Sequence, residues 1–476
     1  MKRYIILFFA LLISFSLFSH PWKPAHYVII DTDGGIDDIR AINLLLASPN
    51  VRVLAITTSS GALSAGNAYL KVKSLLNSCF HEGLPVGINR KSEFLSPEYL
   101  VALKTNWGDE TGISSDKASE AIDLIREIFT VEKTKISFIC LGGMSTALRA
   151  MNEIPDFRVQ VKEILWSADG INDTKGLNYN IDKKASLKIL KGDISVKVVR
   201  KPEAGDFYNE TFINEINSIN TVYAKKISGF FSPEIIKDHK FSFTGNDDMI
   251  PLYLHFPELF KTLTEGNNSD CSPENIPQLR EKALIMLRGE TIARNQVIKA
   301  LPTDSSFYFP DVQRDVAEII DKYGMDEWTS GVIANELHRH LGVFAIIGVK
   351  MGIRAREYFC TGVDEFRATT FSGSVPPLSC MNDGVQVSTG ATPGHGLLTV
   401  SSDTLTSPAA EFSYLNHKIR LTLKPEIAAK IMSELKKINF VNGLDSNIYW
   451  ELVRKNSIKY WRSLDRHNIF LIENLQ

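Results

Sequence analysis

The sequence predicts an α/β protein in which a mainly parallel open sheet precedes a second, smaller α+β unit. Three observations carry this expectation. From residue 27 to about residue 200, apolar strand-like runs alternate with amphipathic helical patterns, the mark of βα units with helices on both faces of a sheet. An acidic turn with two glycines, Asp31-Thr32-Asp33-Gly34-Gly35-Ile36-Asp37-Asp38, follows the first run directly. Near Trp328 the pattern becomes richer in glycine, with histidines close together. The 476 residues, 44% of them hydrophobic, exceed the usual size of one domain and can fill two cores. The expected divisions are 1–20, 27–327 and 328–476.

Residues 1–20 read as an export signal: Lys2 and Arg3, the apolar run from Tyr4 to Leu17, then Ser19, His20 and Pro21. A membrane anchor is the alternative, but the run is short for a full span. The expected location is outside the cytoplasm, in the periplasm if the cell is Gram-negative, with no stable membrane span after signal removal. Strands are expected at Tyr27 to Ile30, Val51 to Ile56, Lys135 to Leu141 and Val161 to Trp166, and helices at Ala65 to Leu76 and from Ser145 to Met151. The polar stretch Thr264 to Pro277 reads as a loop or insertion. Helical patterns resume through Arg280 to Lys299 and Asp311 to Tyr323. The aromatic-rich tail, with Tyr449, Trp450, Tyr460 and Trp461, reads as a packed helical cover.

Net charge is −2, which gives no reason to expect a nucleic-acid partner. Five cysteines, Cys79, Cys140, Cys271, Cys360 and Cys380, lack paired spacing, so at least one is a free thiol or a metal ligand. A small-molecule partner is expected, and a homo-oligomer is allowed.

The acidic turn lies at the C-terminal end of a buried strand, where ligands sit in such sheets. Repulsion among Asp31, Asp33, Asp37 and Asp38 is costly unless a cation or shared protons offset it. Hard divalent ions take oxygen ligands of this kind, so Ca²⁺ or Mg²⁺ is the expected occupant. A solvated acidic loop is the alternative.

This turn, with Leu54-Ala55-Ile56-Thr57-Thr58 after it, resembles the signature of the inosine–uridine-preferring nucleoside hydrolases, over roughly residues 27 to 325. The resemblance implies that family's fold, a bound Ca²⁺ and a water that attacks the ribose anomeric carbon. It makes Asp33 the general base, directs Asp33, Asp37 and Asp38 to the metal, and puts Asp31 behind them. Gly142-Gly143-Met144-Ser145-Thr146 resembles a turn whose residue at Ser145 lends its backbone carbonyl to the metal. Asn178 resembles a ribose-holding asparagine. Asn246-Asp247 resembles a late His-Asp pair, so that Asp247 completes the metal site and Asn246 stands in the catalytic position beside it. This chain departs from the family at Ala62, at Gly176, where a ribose-binding glutamate falls, and at Asn246. An amide donates a hydrogen bond but is no proton-transferring acid at neutral pH. Asn172 or Asp173 would then replace lost polar contacts to the substrate.

In an extended segment His338 and His340 share one side, while in a helix they would diverge. With Cys380 they make a borderline-soft set suited to Zn²⁺ or another transition ion. His338-x-His340-Leu341-Gly342, Gly348 to Gly352 and Cys380 with Gln386 to Gly390 resemble the FmdE-like domain, over about residues 328 to 470. That family often has Cys-Pro at Gly342 and Val343, and a lysine at His395. The reading is a metal-dependent hydrolase that cleaves the N-glycosidic bond of a nucleoside or related ribosyl compound. The alternative is a non-catalytic nucleoside or sugar binder that keeps the metal. A third reading gives the activity to the second unit.

Overall fold

A computed structural model of the chain describes residues 23–475 except 93–96, 173, 204–205, 232–244, 291–296, 299 and 403–405. The expected export segment and Asp173 lie outside the described residues. Among the described residues no helix is long and apolar enough to cross a membrane.

Nine strands form the first sheet: β1 (His26–Thr32), β2 (Val51–Thr58), β3 (Val86–Ile88), β4 (Ser119–Glu120), β5 (Ile136–Cys140), β6 (Val161–Ser167), β7 (Val196–Val199), β8 (Phe260–Glu265) and β9 (Asn268–Pro273). Their order is β4-β3-β2-β1-β5-β6-β7-β9-β8. Every pairing is parallel except β8 with β9, so the sheet is mixed, with its antiparallel pair at one edge. β2 is buried along its whole length, which explains its near-continuous apolar sequence. Two apolar cores, one on each face, hold the flanking helices. The stretch Thr264 to Pro277, expected to be a loop, instead supplies the β8–β9 hairpin and the start of the helix Ile276–Leu287. Its polar residues lie on an edge hairpin whose first strand is exposed beyond Phe260, so no apolar pattern announced it.

Strand order reverses between β1 and β5. The connections leave in opposite directions there and open a crevice beyond the strands' carboxyl ends. The acidic turn begins at that point. Gly34 has φ +81°, and a Cβ added to it would lie 2.9 Å from Cβ of Ala68, so the position demands glycine. The helix Ile36–Ala47 starts within the turn and carries Asp37 and Asp38 in its first turn, where unpaired backbone N–H groups favour negative charge.

The second unit has five strands, β10 (Arg367–Thr370), β11 (Leu398–Val400), β12 (Ala409–Tyr414), β13 (His417–Leu423) and β14 (Phe470–Asn474), in the order β11-β10-β12-β13-β14. The helices Val316–His338, Val343–Phe359 and Met381–Thr389 pack together beside it. The expected division at 327/328 falls inside the first of these, past a break at Gly324 (φ 88°, ψ 165°). The helix Asn447–Ser463 carries the aromatic tail: Trp461 is buried and stacks on Trp328 with ring centroids 5.1 Å apart, while Trp450 stays largely exposed. All five cysteines are buried and unpaired.

The two units share a polar seam. Arg52, on β2, reaches Glu365 through Nε at 2.6 Å and also bonds the Cys360 carbonyl. Arg354 Nη2 donates to Glu82 Oε1 at 2.7 Å, and Gly83 N donates to the Tyr358 carbonyl at 3.0 Å.

Candidate functional site

The acidic cluster is assembled from two distant parts of the chain. Asp37 and Asp38 come from the helix that follows β1, and Asp247 comes from just before the helix Met249–His255. One carboxylate oxygen from each lies within 4.8 Å of the others. Asp38 Oδ2 accepts from Thr32 Oγ1 at 2.6 Å and from Asp33 N at 3.1 Å, which fixes it under the turn. Asp247 is held by the Ser167 hydroxyl at the end of β6. Asn246 Nδ2 donates to Asp37 Oδ2 at 2.9 Å.

Asp33 stands beside this triad. Its carboxylate lies in a slot between Gly61 and Gly142, and a Cβ at Gly61 would overlap it. Asp31 is fully buried behind, accepting from Thr57 Oγ1 at 2.6 Å and Ser59 Oγ at 2.8 Å.

Electrostatics follow from this crowding. Burial pushes the Asp31 carboxyl up to about 7. Burial, then the neighbouring Asp38, pushes Asp33 and Asp37 up as well. Asp247 is raised well above the usual carboxylate range by burial, then by Asp37 and Asp38. The nearby buried cation, Arg40, is committed to Asp248. Such a set fits a hard divalent ion, whose charge would reverse these shifts. The Ser145 hydroxyl, in the first turn of the helix Ser145–Glu153, is buried without a hydrogen-bond partner among the described residues.

The expected substrate contacts fare differently. Both amide donors of Asn178 go to backbone, to the Leu141 carbonyl at 2.6 Å and the Ser167 carbonyl at 3.0 Å. Asn178 thus ties the ends of β5 and β6 together, and only its oxygen is left for a ligand. Asn172 is exposed and donates to Glu265 Oε2 at 3.1 Å, at the β8–β9 hairpin. At Gly176 a Cβ would meet the carboxylate of Asp169 at 2.8 Å, so another acid fills that space.

His338 ends its helix, and Arg339, at φ 67°, turns the chain so that the imidazoles of His338 and His340 lie 4.1 Å apart. One ligand atom each from His338, His340 and Cys380 lies within 4.8 Å of the others. His338 Nδ1 bonds Asp383 Oδ2 at 2.7 Å, and its Nε2 is buried without a partner among the described residues. A carboxylate on one ring nitrogen with the other turned inward is the usual support of a metal-ligating histidine. Burial, then Asp383, pushes the Cys380 thiol up to about 11, so loading a metal must release that proton. Burial, then His338, lowers His340. These residues fit zinc or a similar ion.

Sequence reasoning missed Arg40, Asp248, Tyr208 and Asp383. The doublet Asp247-Asp248 was visible, and Asp383 stands one helical turn from Cys380; neither spacing reveals its partner.

Residues 28–211 match the family described as inosine-uridine preferring nucleoside hydrolase, and residues 337–448 match that described as FmdE, molybdenum formylmethanofuran dehydrogenase operon. Asp247 lies beyond the first match. Two relatives are the pyrimidine-specific ribonucleoside hydrolases RihA of Salmonella paratyphi C and of Citrobacter koseri. Each is 26% identical over 258 residues, covering 50% of this chain and 81% of its own. A crystal structure of an inosine-uridine preferring nucleoside hydrolase from Bacillus anthracis superposes with a TM-score of 0.44 at 14% identity, over 56% of this chain and 99% of that one.

Proposed function

Because this chain joins an inosine–uridine-preferring-nucleoside-hydrolase-like domain at 28–211 to an FmdE-like domain at 337–448, we propose that it is a hydrolase of N-ribosyl bonds. The observation that carries the reading is the meeting of Asp37, Asp38 and Asp247 at the switch point of the sheet. Asp33, Asp37, Asp38, Asp247 and the Ser145 carbonyl would hold Ca²⁺, which when bound orients sugar hydroxyls and acidifies a water. Asp33, in its glycine-lined slot, accepts the water's proton. The acidic wall stabilises the positive charge that develops on the sugar as the bond to the base breaks. Asn246 can donate only a hydrogen bond, so the site favours substrates whose base leaves without protonation.

His338, His340 and Cys380 would hold Zn²⁺ or a related ion in the second domain. The first domain extends to about residue 327, and residues 1–20 direct export. The substrate is a nucleoside or related ribosyl compound, with Asn178 meeting it through its oxygen. The test is incubation of the full chain with a nucleoside panel and p-nitrophenyl riboside, with and without Ca²⁺. Release of free ribose that depends on Ca²⁺ is expected. A folded protein inert on the whole panel would defeat the proposal. The amide at Asn246 favours one rival, a sensor that binds a nucleoside without turnover; ligand-induced thermal stabilisation with no product would establish it.

A further inference from the structure

Among the described residues the second cluster has three protein donors. His338 spends Nδ1 on Asp383, so Nε2 is the atom it turns toward His340 and Cys380. Zinc and cobalt in closed structural sites take four protein ligands, and sites that exchange ligands keep one position free. At Gly342 an added Cβ would lie 3.4 Å from His338 Cδ2, 3.4 Å from His340 Nε2 and 3.5 Å from His338 Nε2. The space beside both imidazoles therefore borders a residue with no side chain, and a small side chain would fit there at ordinary contact distance. The Trp450 ring meets His340 edge-on, with centroids 5.1 Å apart, and is 45% exposed, so this side of the cluster reaches solvent beside an aromatic wall.

We propose that His338, His340 and Cys380 form an open, ligand-exchanging metal centre, with Gly342 leaving the fourth position to a solvent molecule or small anion. Asp383 is its positioning residue, holding the His338 ring so that Nε2 faces inward. The inference rests on the metal-binding reading of the second domain and adds that this site is incomplete by construction. Cys380 and Asp383 share one helix start, so thiolate and orienting carboxylate are set by a single element.

The test uses the full chain loaded with Co²⁺, whose visible bands report ligand number and whose thiolate charge-transfer band reports Cys380. Wild type is expected to show one thiolate band and d–d bands that shift on titration with azide. Gly342→Cys should raise the thiolate band about twofold and abolish the azide response. Gly342→Ala, the gentler change, should keep one thiolate band and an azide response. Asp383→Asn should weaken Co²⁺ binding roughly 10- to 100-fold without changing the band pattern. Loss of the thiolate band in Cys380→Ser confirms the ligand. A Co²⁺ spectrum with the thiolate band but indifferent to azide would overturn the open position while sparing the metal site. Absence of any thiolate band in the wild type would overturn both.

Discussion

The guanidinium of Arg40 grips the carboxylate of Asp248 through two nitrogens, Nη2 at 2.8 Å and Nε at 3.2 Å, with both side chains buried and 208 positions between them. The Tyr208 hydroxyl donates to the same carboxylate at 2.5 Å. Arg40 belongs to the helix that bears Asp37 and Asp38, and Asp248 adjoins Asp247. The pair therefore sets the span across which those carboxylates face each other. Arg40→Met should cost about 3 kcal/mol, because it strands a buried acid, and should weaken Ca²⁺ binding. Denaturant unfolding and calorimetric Ca²⁺ titration check the two effects; unchanged calcium affinity would reduce the pair to scaffolding.

Calcium should matter more as pH rises. Asp31, Asp33, Asp37 and Asp247 have folded pKa values above their unfolded ones. Without metal, their stabilising contribution is complete below about pH 4 and is lost as pH climbs through the folded values. Bound Ca²⁺ removes that loss. The gap in Tm between calcium-loaded and chelated protein should widen from pH 4 to pH 8, and where calcium stands at a thousandfold excess over Kd the stabilisation should be about 4 kcal/mol. Scanning calorimetry in both buffers measures it, and a gap independent of pH would contradict the account.

Asn246→His should add a proton donor against Asp37, where the amide now donates at 2.9 Å. Hydrolysis of purine nucleosides should rise by roughly 100-fold, the usual yield of a positioned acid. Turnover of p-nitrophenyl riboside, whose leaving group needs no proton, should change little. Comparing kcat for the two substrates separates acid catalysis from altered binding.

His26, the first residue of β1, and His255 meet edge-on, with ring centroids 5.1 Å apart. Burial lowers His26 to about 4, helped by Lys162 and opposed by Glu163, and lowers His255 to about 3, helped by His26. Each is neutral in the fold, so the unfolded chain takes up protons first. Their stabilisation is present above about pH 6.5 and is lost as pH falls toward 4 and 3. His26→Gln with His255→Gln should flatten the decline in Tm between pH 6.5 and 4.5 by several degrees. Parallel curves for variant and wild type would exclude the pair as its source.

Arg52→Ala should loosen the seam. It leaves Glu365 without its cationic partner, keeping only the Gly362 N–H at 3.0 Å, and frees the Cys360 carbonyl. We expect about 3 kcal/mol of destabilisation and separation of one thermal transition into two. Calorimetry of the full chain shows which occurs.

Much of the first unit was legible because its signals are local. β2 is buried throughout, β1 from Val28 onward and β6 from Ile164 onward, and apolar continuity announces such runs. The β8–β9 hairpin was not legible, since an edge strand with exposed side chains carries no apolar pattern. Asn178 shows another limit: composition marks an asparagine as a ligand contact or a brace with equal ease. Only the carbonyls of Leu141 and Ser167 show that its nitrogen is a brace.

The sequence by itself determined the acidic turn after β1, the paired histidines and the presence of two units, because each is written within a few consecutive residues. The family resemblance pointed Asp247 toward Asp37 and Asp38, and the fold brings the three within 4.8 Å; tertiary structure alone decided that Asp383 orients His338 and that Arg40 is already taken by Asp248. The physical reason is that carboxylates act through distances of a few ångströms in space. Separation along the chain does not record such distances until strand order and helix packing have set them.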